Sequence, residues 1–325
     1  MTGFSAAWLA LREPADHAAR DPGLMAALGR ALAERPGPLR VVDLGCGTGS
    51  NLRALAPHLP AEQHWCLVDH DPALLTAARA ALADWADHAA GDGDDLVLRR
   101  DGRVLRVRCR VHDLAAGLPL DPAALPDLVT AAALFDLVSE DWIAAASRAV
   151  AAAGAAFYTA LTYDGREAWT PPHPADAALQ AAFLAHQARD KGFGPAAGPR
   201  ATDILDRAFA RSGYATTRAE SPWRIVAGPL LDALAEGKAA AVRATGLAPE
   251  GQVEAWRTAR AAPGCAAVIG HADLLALPRD DTVSGRSLSE TVSRARAAPQ
   301  RGRFPHREAI IRKPYERARS SHSGP

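Results

Sequence analysis

VVDLGCGTGSN, Val41 to Asn51, passes from apolar to acidic, then places glycine at every second position, then turns polar. A plain turn needs one glycine, not Gly45, Gly47 and Gly49 in alternation. A phosphate loop, G-x-x-x-x-G-K-[ST], needs a lysine that does not follow here. A dinucleotide fingerprint, G-x-G-x-x-G, sets its third glycine one residue later. What is left is G-x-G-x-G at the end of a short apolar run, Leu39 to Leu44, with Asp43 near the end of the predicted strand.

Outward from this stretch, strand and helix alternate. Phe4 to Arg35 reads as helical, with Leu24, Leu28 and Leu32 on one face, and Pro36-Gly37-Pro38 stops it. Asn51 to Leu59 reads as a helix and His64 to Val68 as a second strand. Asp71 suits an N-cap and Pro72 a first helical position, ahead of a helix from Ala73 to Trp85. Asp101-Gly102 between two β-rich runs signals a hairpin, and its second arm, Val104 to Val111, is long enough for a sheet strand. Asp127 to Leu134 and Ala155 to Thr162 read as strands on either side of a helix from Asp141 to Ala152. Such alternation predicts an α/β protein with a doubly wound, mostly parallel sheet and helices on both faces. Beyond it the sequence predicts a Pro-rich bend at 170–174, helices near 175–190 and 201–212, and a strand near 215–226. A long helical segment over 229–261 and a last strand from Cys265 to Ile269 complete the pattern.

Two further acids follow the glycine run at strand ends. Asp69 comes 20 residues after Gly49 and ends the second predicted strand; Asp113 ends the third. Together these features resemble the first motifs of class I S-adenosylmethionine-dependent methyltransferases, over about residues 20–270. The resemblance implies a Rossmann-like, seven-stranded sheet whose last strand is antiparallel, and S-adenosylmethionine as cofactor. It also implies one domain over 1–278, with a helical lid at 1–36 and a helical insertion at about 170–200. Glycines at 45, 47 and 49 let backbone approach the methionine part of the cofactor, and the helix start at Gly49-Ser50-Asn51 favours its carboxylate. Asp43 is expected to meet the ammonium and Asp69 the ribose hydroxyls. The resemblance sets Asp113 on the adenine amino group, the backbone N–H of Leu114 on a ring nitrogen, and His70 beside the adenine ring. Asp113 reads equally as a cap for the next turn. Cys46, inside the glycine turn, counts as a contact position and turn filler rather than a reactive thiol.

Methyl transfer needs the acceptor held at the methyl carbon and water excluded, with a base only where the acceptor must lose a proton. The acceptor site is expected past the ends of the fourth and fifth strands. After the fourth comes Ala131-Ala132-Ala133-Leu134-Phe135-Asp136. The Asn/Asp-Pro-Pro-Tyr/Phe motif of amino-methyltransferases acting on DNA and protein glutamine is absent, as is a Pro-Cys nucleophile. Three lysines, Lys191, Lys238 and Lys313, do not readily assemble a ribose methyltransferase set. These absences favour a small-molecule acceptor, and the expectation is a small polar or anionic metabolite. Asp136 is the catalytic candidate, although it also reads as a helix-start acid. Tyr163 and Arg166, beside the turn signal Asp164-Gly165, and His186 and Lys191 are candidate substrate contacts. Leu179, Phe183, His186 and Asp190 share one helical face that begins apolar and turns polar, as a pocket wall does. Trp169 and Trp223 suit an aromatic wall or the core. Trp8, Arg12, Asp16 and Arg20 recur four apart, as a lid or a solvated face.

Charge divides unevenly. The 47 residues from Arg279 onward carry 11 Lys/Arg and 5 Asp/Glu, so that stretch is basic and the body mildly acidic. It reads as disordered, and leaves RNA methylation as an alternative in which arginines hold phosphates. A non-catalytic S-adenosylmethionine-binding protein is the other alternative. Cys46, Cys66, Cys109 and Cys265 are too scattered for a zinc site or a disulfide framework. The N-terminal stretch does not read as a signal peptide, and no run approaches the ~20 apolar residues of a membrane span. The expectation is a cytoplasmic monomer or homodimer without a metal.

Overall fold

The computed structural model describes residues 4–91 and 95–279; the basic stretch read above as disordered lies, after Arg279, outside the described residues. The strands are β1 (Leu39–Leu44), β2 (Glu62–Asp69), β3 (His88–Ala90), β4 (Asp95–Arg100), β5 (Arg103–Val111), β6 (Leu128–Ala132), β7 (Ala156–Thr170), β8 (Tyr214–Glu220), β9 (Trp223–Val226) and β10 (Ala266–Pro278). They form one sheet in the order β3-β4-β5-β2-β1-β6-β7-β10-β8, with β9 also paired to β10. From β5 to β7 the strands are parallel, and β10 runs antiparallel to β7 and β8. This is the expected doubly wound sheet with its antiparallel strand, widened at one edge by β3 and β4. Asp101 and Gly102 turn the β4–β5 hairpin with φ of 48° and 74°, the primed geometry that Asp-Gly favours.

The helices are α1 (Ala6–Ala19), α2 (Pro22–Leu32), α3 (Ser50–Leu55), α4 (Pro72–Trp85), α5 (Glu140–Ala152), α6 (Asp176–Gln187), α7 (Ala201–Arg211), α8 (Pro229–Arg243) and α9 (Glu250–Arg260). Local chemistry starts several of them. Asp21 accepts from the Leu24 N–H at 2.7 Å, Asp71 from Ala73 at 2.8 Å and Ser139 from Trp142 at 3.2 Å, each satisfying a donor that a helix start leaves open.

Alternate strand positions feed two cores. On one face Val41, Trp65, Leu67 and Val107 pack with Leu24, Leu28 and Leu32 of α2, Leu52 and Leu55 of α3, and Leu75 and Leu82 of α4. On the other, Val42, Leu44, Val129 and Phe157 meet Ile143 and Val150 of α5 and Leu205 and Phe209 of α7. Full burial of each such leucine contributes about 1.5–3 kcal/mol, so both faces hold the sheet rigid beneath its carboxyl edge. The chain leaves β1 toward β2 on one side and returns to β6 on the other. The carboxyl ends of β1 and β6 therefore flank the switch point, where a doubly wound sheet opens its crevice.

Three local readings are corrected. Asp164-Gly165 is not a turn between elements: β7 continues through it to Thr170, paired with an equally lengthened β10. The register shifts between Ile269 and His271, at Gly270, where a Cβ would sit 2.2 Å from Asp164 Oδ1. Glycine lets the two strands pass that carboxylate. The strand expected over 215–226 is two, β8 and β9, both on β10. The helix expected over 229–261 breaks into α8 and α9 around Gly246, whose φ is 67°. The second half of β7, paired with β10, which also carries β9, extends beyond the carboxyl end of β6. Among the described residues no helix is long and apolar enough to cross a membrane.

Candidate active site

Glycines 45, 47 and 49 all take positive φ, at 62°, 53° and 78°, which residues with a Cβ adopt at a cost. The turn is tied to the next strand: Cys46 N–H donates to Val68 O at 3.0 Å, and Gly47 N–H donates to Asp69 Oδ2 at 2.9 Å. Asp69 Oδ1 accepts from Asp71 N–H at 3.0 Å and lies 3.3 Å from the exposed His70 ring. Burial raises the Cys46 thiol well above its ordinary range, which suits filler rather than a nucleophile. Asp113 is exposed and accepts from Ala115 N–H at 2.9 Å, capping its own turn. The Leu114 carbonyl accepts from Trp142 Nε1 at 2.7 Å.

Asp43 is fully buried. Its Oδ1 accepts from Asn51 Nδ2 at 2.7 Å, and its Oδ2 has no partner among the described residues. Burial pushes its carboxyl up to about 7, against the pull of Asn51 and Arg20. Arg20 is 4% exposed and its Nε and Nη1 are also without partners. Buried charged groups with free polar atoms are costly to leave without partners. Their free atoms match an ammonium and a carboxylate, the two charges of an amino-acid tail. Thus the residues present fit the methionine end of S-adenosylmethionine.

Helix α1 lies over this turn. A Cβ on Gly47 would stand 2.9 Å from Leu9 Cδ1. His17 Nε2 lies 3.0 Å from Ser50 Oγ, and Glu13 pairs with Arg53, whose Nη1 donates to Thr48 O at 2.9 Å. The four-apart face is therefore not solvated. Asp16 and Arg20 are buried, and Asp16 takes Arg12 Nε at 2.8 Å and Trp223 Nε1 at 3.1 Å.

Asp136 lies in a short turn past β6, 8% exposed, with Oδ1 unpartnered. Burial pushes its carboxyl up to about 6, while its own backbone N–H, the Tyr163 N–H and the Arg12 charge pull it down. Tyr163 turns its hydroxyl elsewhere. It donates to Glu167 Oε1 at 2.8 Å and accepts from Gln180 Nε2 at 2.8 Å. Glu167 in turn pairs with the buried Lys238, which also donates to Gln180 Oε1 at 2.6 Å and lies among Trp169, Phe183 and Trp256. Trp169 and Trp223 thus both belong to the packed core, with Trp223 also bonded to Asp16. Arg166 is exposed and ion-paired to Asp164 and Glu220 at 2.6 Å each. His186 keeps an unpartnered Nδ1, and its carbonyl accepts from Lys191 Nζ at 3.0 Å. Asp190 does not line a wall: its Oδ1 accepts from Gly192 and Gly194 N–H.

Sequence reasoning passed over Arg20, His271 and Asp273 as site residues. Asp273, fully buried on β10, accepts from Tyr158 Oη, Leu161 N–H and Asp21 N–H at 2.9–3.1 Å. The signal was present: His271 and Asp273 are polar at alternate positions of an apolar strand.

Residues 41–155 match the family described as "Methyltransferase domain". No match was found among curated proteins. Similar solved structures include the YcgJ protein of Bacillus subtilis, at 14% identity over 80% of this chain and 100% of that one, TM-score 0.44. Another is an S-adenosylmethionine-dependent methyltransferase of Geobacter sulfurreducens in complex with S-adenosyl-L-homocysteine, at 15% identity over 86% of this chain and 100% of that one, TM-score 0.42. A third is a geranyl diphosphate C-methyltransferase of Streptomyces coelicolor, at 16% identity over 79% and 77%, TM-score 0.37. Over residues 41–155 the chain thus matches a methyltransferase domain, set in a doubly wound, mostly parallel sheet.

Proposed function

We propose that this enzyme methylates a small polar or anionic metabolite held between Asp136 and the second half of β7 with its partner β10. The observation that carries the reading is Asp136 itself: a buried carboxyl with a free oxygen, past β6, one strand across from Asp43. S-adenosylmethionine supplies an electrophilic methyl group on a sulfonium. On the cofactor side, Asp43 and Arg20 hold the amino-acid tail, and the backbone at Gly45, Cys46, Gly47 and Gly49 cradles it. Asp69 takes the ribose. Asp113, Leu114 and His70 border the adenine. On the acceptor side, Asp136 orients an N–H or O–H and takes its proton.

Enclosure supports a small acceptor. Helix α1 covers the glycine turn, and the segment after α6 lies against the corner past β6, where Ala197 N–H donates to Val138 O at 2.7 Å and Phe193 packs 5.5 Å from Trp142. We read α1 as a lid that excludes water. Tyr163, Arg166, His186 and Lys191 border the mouth rather than the reacting atoms. Four free cysteines accord with a cytoplasmic place. The test is S-adenosylhomocysteine release from fractionated cell extract, with mass spectrometry of the product. Release by the wild type and its loss in Asp136→Asn support the reading; equal release by both contradicts it.

A further inference from the structure

A cluster of polar and aromatic side chains near Asp136 has a chemistry of its own. Arg12 comes from α1, Trp223 from β9 and His271 from β10. The Arg12 guanidinium lies 5.4 Å from the centre of the Trp223 ring, and only its Nε is engaged, on Asp16 Oδ2. Trp223 donates to the other oxygen of the same carboxylate. Asp16 thus fixes the plane of the guanidinium while leaving both Nη groups without a hydrogen bond among the described residues. Beyond Trp223, at 4.9 Å, is the ring of His271, 7% exposed and with Nδ1 unpartnered. His271 is the register partner of Tyr163 across the β7–β10 pair, and the Tyr163 N–H reaches the Asp136 carboxyl.

Arg12 and Asp136 are near enough for the charge of one to act on the other, yet no ion pair closes between them. Two opposite charges that sense each other without meeting can be spanned by a molecule with complementary ends. A planar guanidinium with a free Nη pair holds a carboxylate through two parallel hydrogen bonds. Asp136 needs an N–H or O–H. His271 adds no charge, since burial and then Arg12 push its imidazole down to about 4. If Arg12 were only a tie between α1 and β9, its Nε and the face of its guanidinium would suffice.

We propose that Arg12 is the anion-holding residue of the acceptor seat, and that the acceptor is a small carboxylic acid bearing an amino or hydroxyl group. This rests on Asp136 standing on the acceptor side. It makes Arg12, on the helix that covers the glycine turn, a specificity determinant.

The experiment is calorimetric titration of the full-length protein, saturated with S-adenosylhomocysteine, with matched acids and carboxamides: glycine and glycinamide, anthranilate and anthranilamide, salicylate and salicylamide. A charge-assisted pair predicts that the acid binds about tenfold or more tightly than its amide in at least one pair. The preference vanishes in Arg12→Gln and returns in part in Arg12→Lys. The thermal transition of Arg12→Gln controls for folding, and Arg12→Lys carries the test if the glutamine variant unfolds. Amides that bind as tightly as acids, no acid binding at millimolar concentration, or a preference that survives in Arg12→Gln overturns the inference. If acids and amides bind alike while Asp136→Asn abolishes methyl transfer, only this inference falls. If methyl transfer survives in Asp136→Asn, the reading beneath it falls too.

Discussion

Gly47 donates its backbone N–H to Asp69 Oδ2 at 2.9 Å, so the glycine turn after β1 and the acid ending β2 are one hydrogen-bonded unit. The other Asp69 oxygen accepts from Asp71. The residue assigned to the ribose therefore also shapes the turn assigned to the methionine tail.

Asp69→Ala leaves two backbone donors unsatisfied, and the cost is about 1–3 kcal/mol of stability. Denaturant unfolding measures that loss. Calorimetry on the same variant is expected to show weakened S-adenosylmethionine binding; unchanged affinity would mean that this carboxylate serves the turn alone.

Asp43 is expected to make cofactor binding depend on pH. Its carboxyl, pushed up to about 7 by burial, is mostly protonated below that value. An ammonium beside it favours the ionised form, so binding lowers its pKa. Affinity then rises as pH increases toward 7, by at most about tenfold per pH unit, and levels off above it. Titrations from pH 5.5 to 8.5 test this, and Asp43→Asn should flatten the curve.

Asp136 predicts the pH dependence of the chemical step. A carboxyl pushed up to about 6 must be ionised to take a proton. Thus kcat/KM should climb through about 6 to a plateau, and Asp136→Asn should lose roughly 10²–10⁴-fold. A profile without that limb would assign Asp136 an orienting role only.

Lys238 and Glu167 are each 5% exposed in their side chains and form a buried ion pair. Lys238→Met strands the carboxylate and should cost about 3–5 kcal/mol. Adding Glu167→Gln removes the stranded charge and keeps one oxygen to accept from Trp169 or Tyr163, so the double variant should be the more stable of the two. Thermal unfolding decides the order.

Much of the architecture was legible because its signals are local. Asp71-Pro72 starts α4, Asp101-Gly102 turns a hairpin, and Asp43, Asp69 and Asp113 stand at or just past successive strand ends. What escaped was set by distant pairing. Asp164-Gly165 has turn chemistry, and its carboxylate does accept the Arg166 N–H at 2.9 Å. Pairing with β10 nevertheless keeps the chain in the sheet, and Gly270 makes room for it. Arg20 was visible only as one of four spaced residues, because its meaning depends on Asp43, distant in sequence. The break between α8 and α9 was legible in Gly246 and Pro249, and helical composition outweighed it.

The most direct test of the glycine turn as a cofactor cradle is calorimetric titration of the full-length protein with S-adenosylmethionine, S-adenosylhomocysteine and NAD, repeated on Gly47→Ala. At residue 47, φ is 53° and a Cβ would press on Leu9; the left-handed backbone alone costs about 1–2 kcal/mol with a side chain. A cofactor cradle predicts one site per chain for the two S-adenosyl compounds, none for NAD, and clear weakening in Gly47→Ala. Binding of NAD in their place, or S-adenosylmethionine affinity untouched in Gly47→Ala, would contradict it.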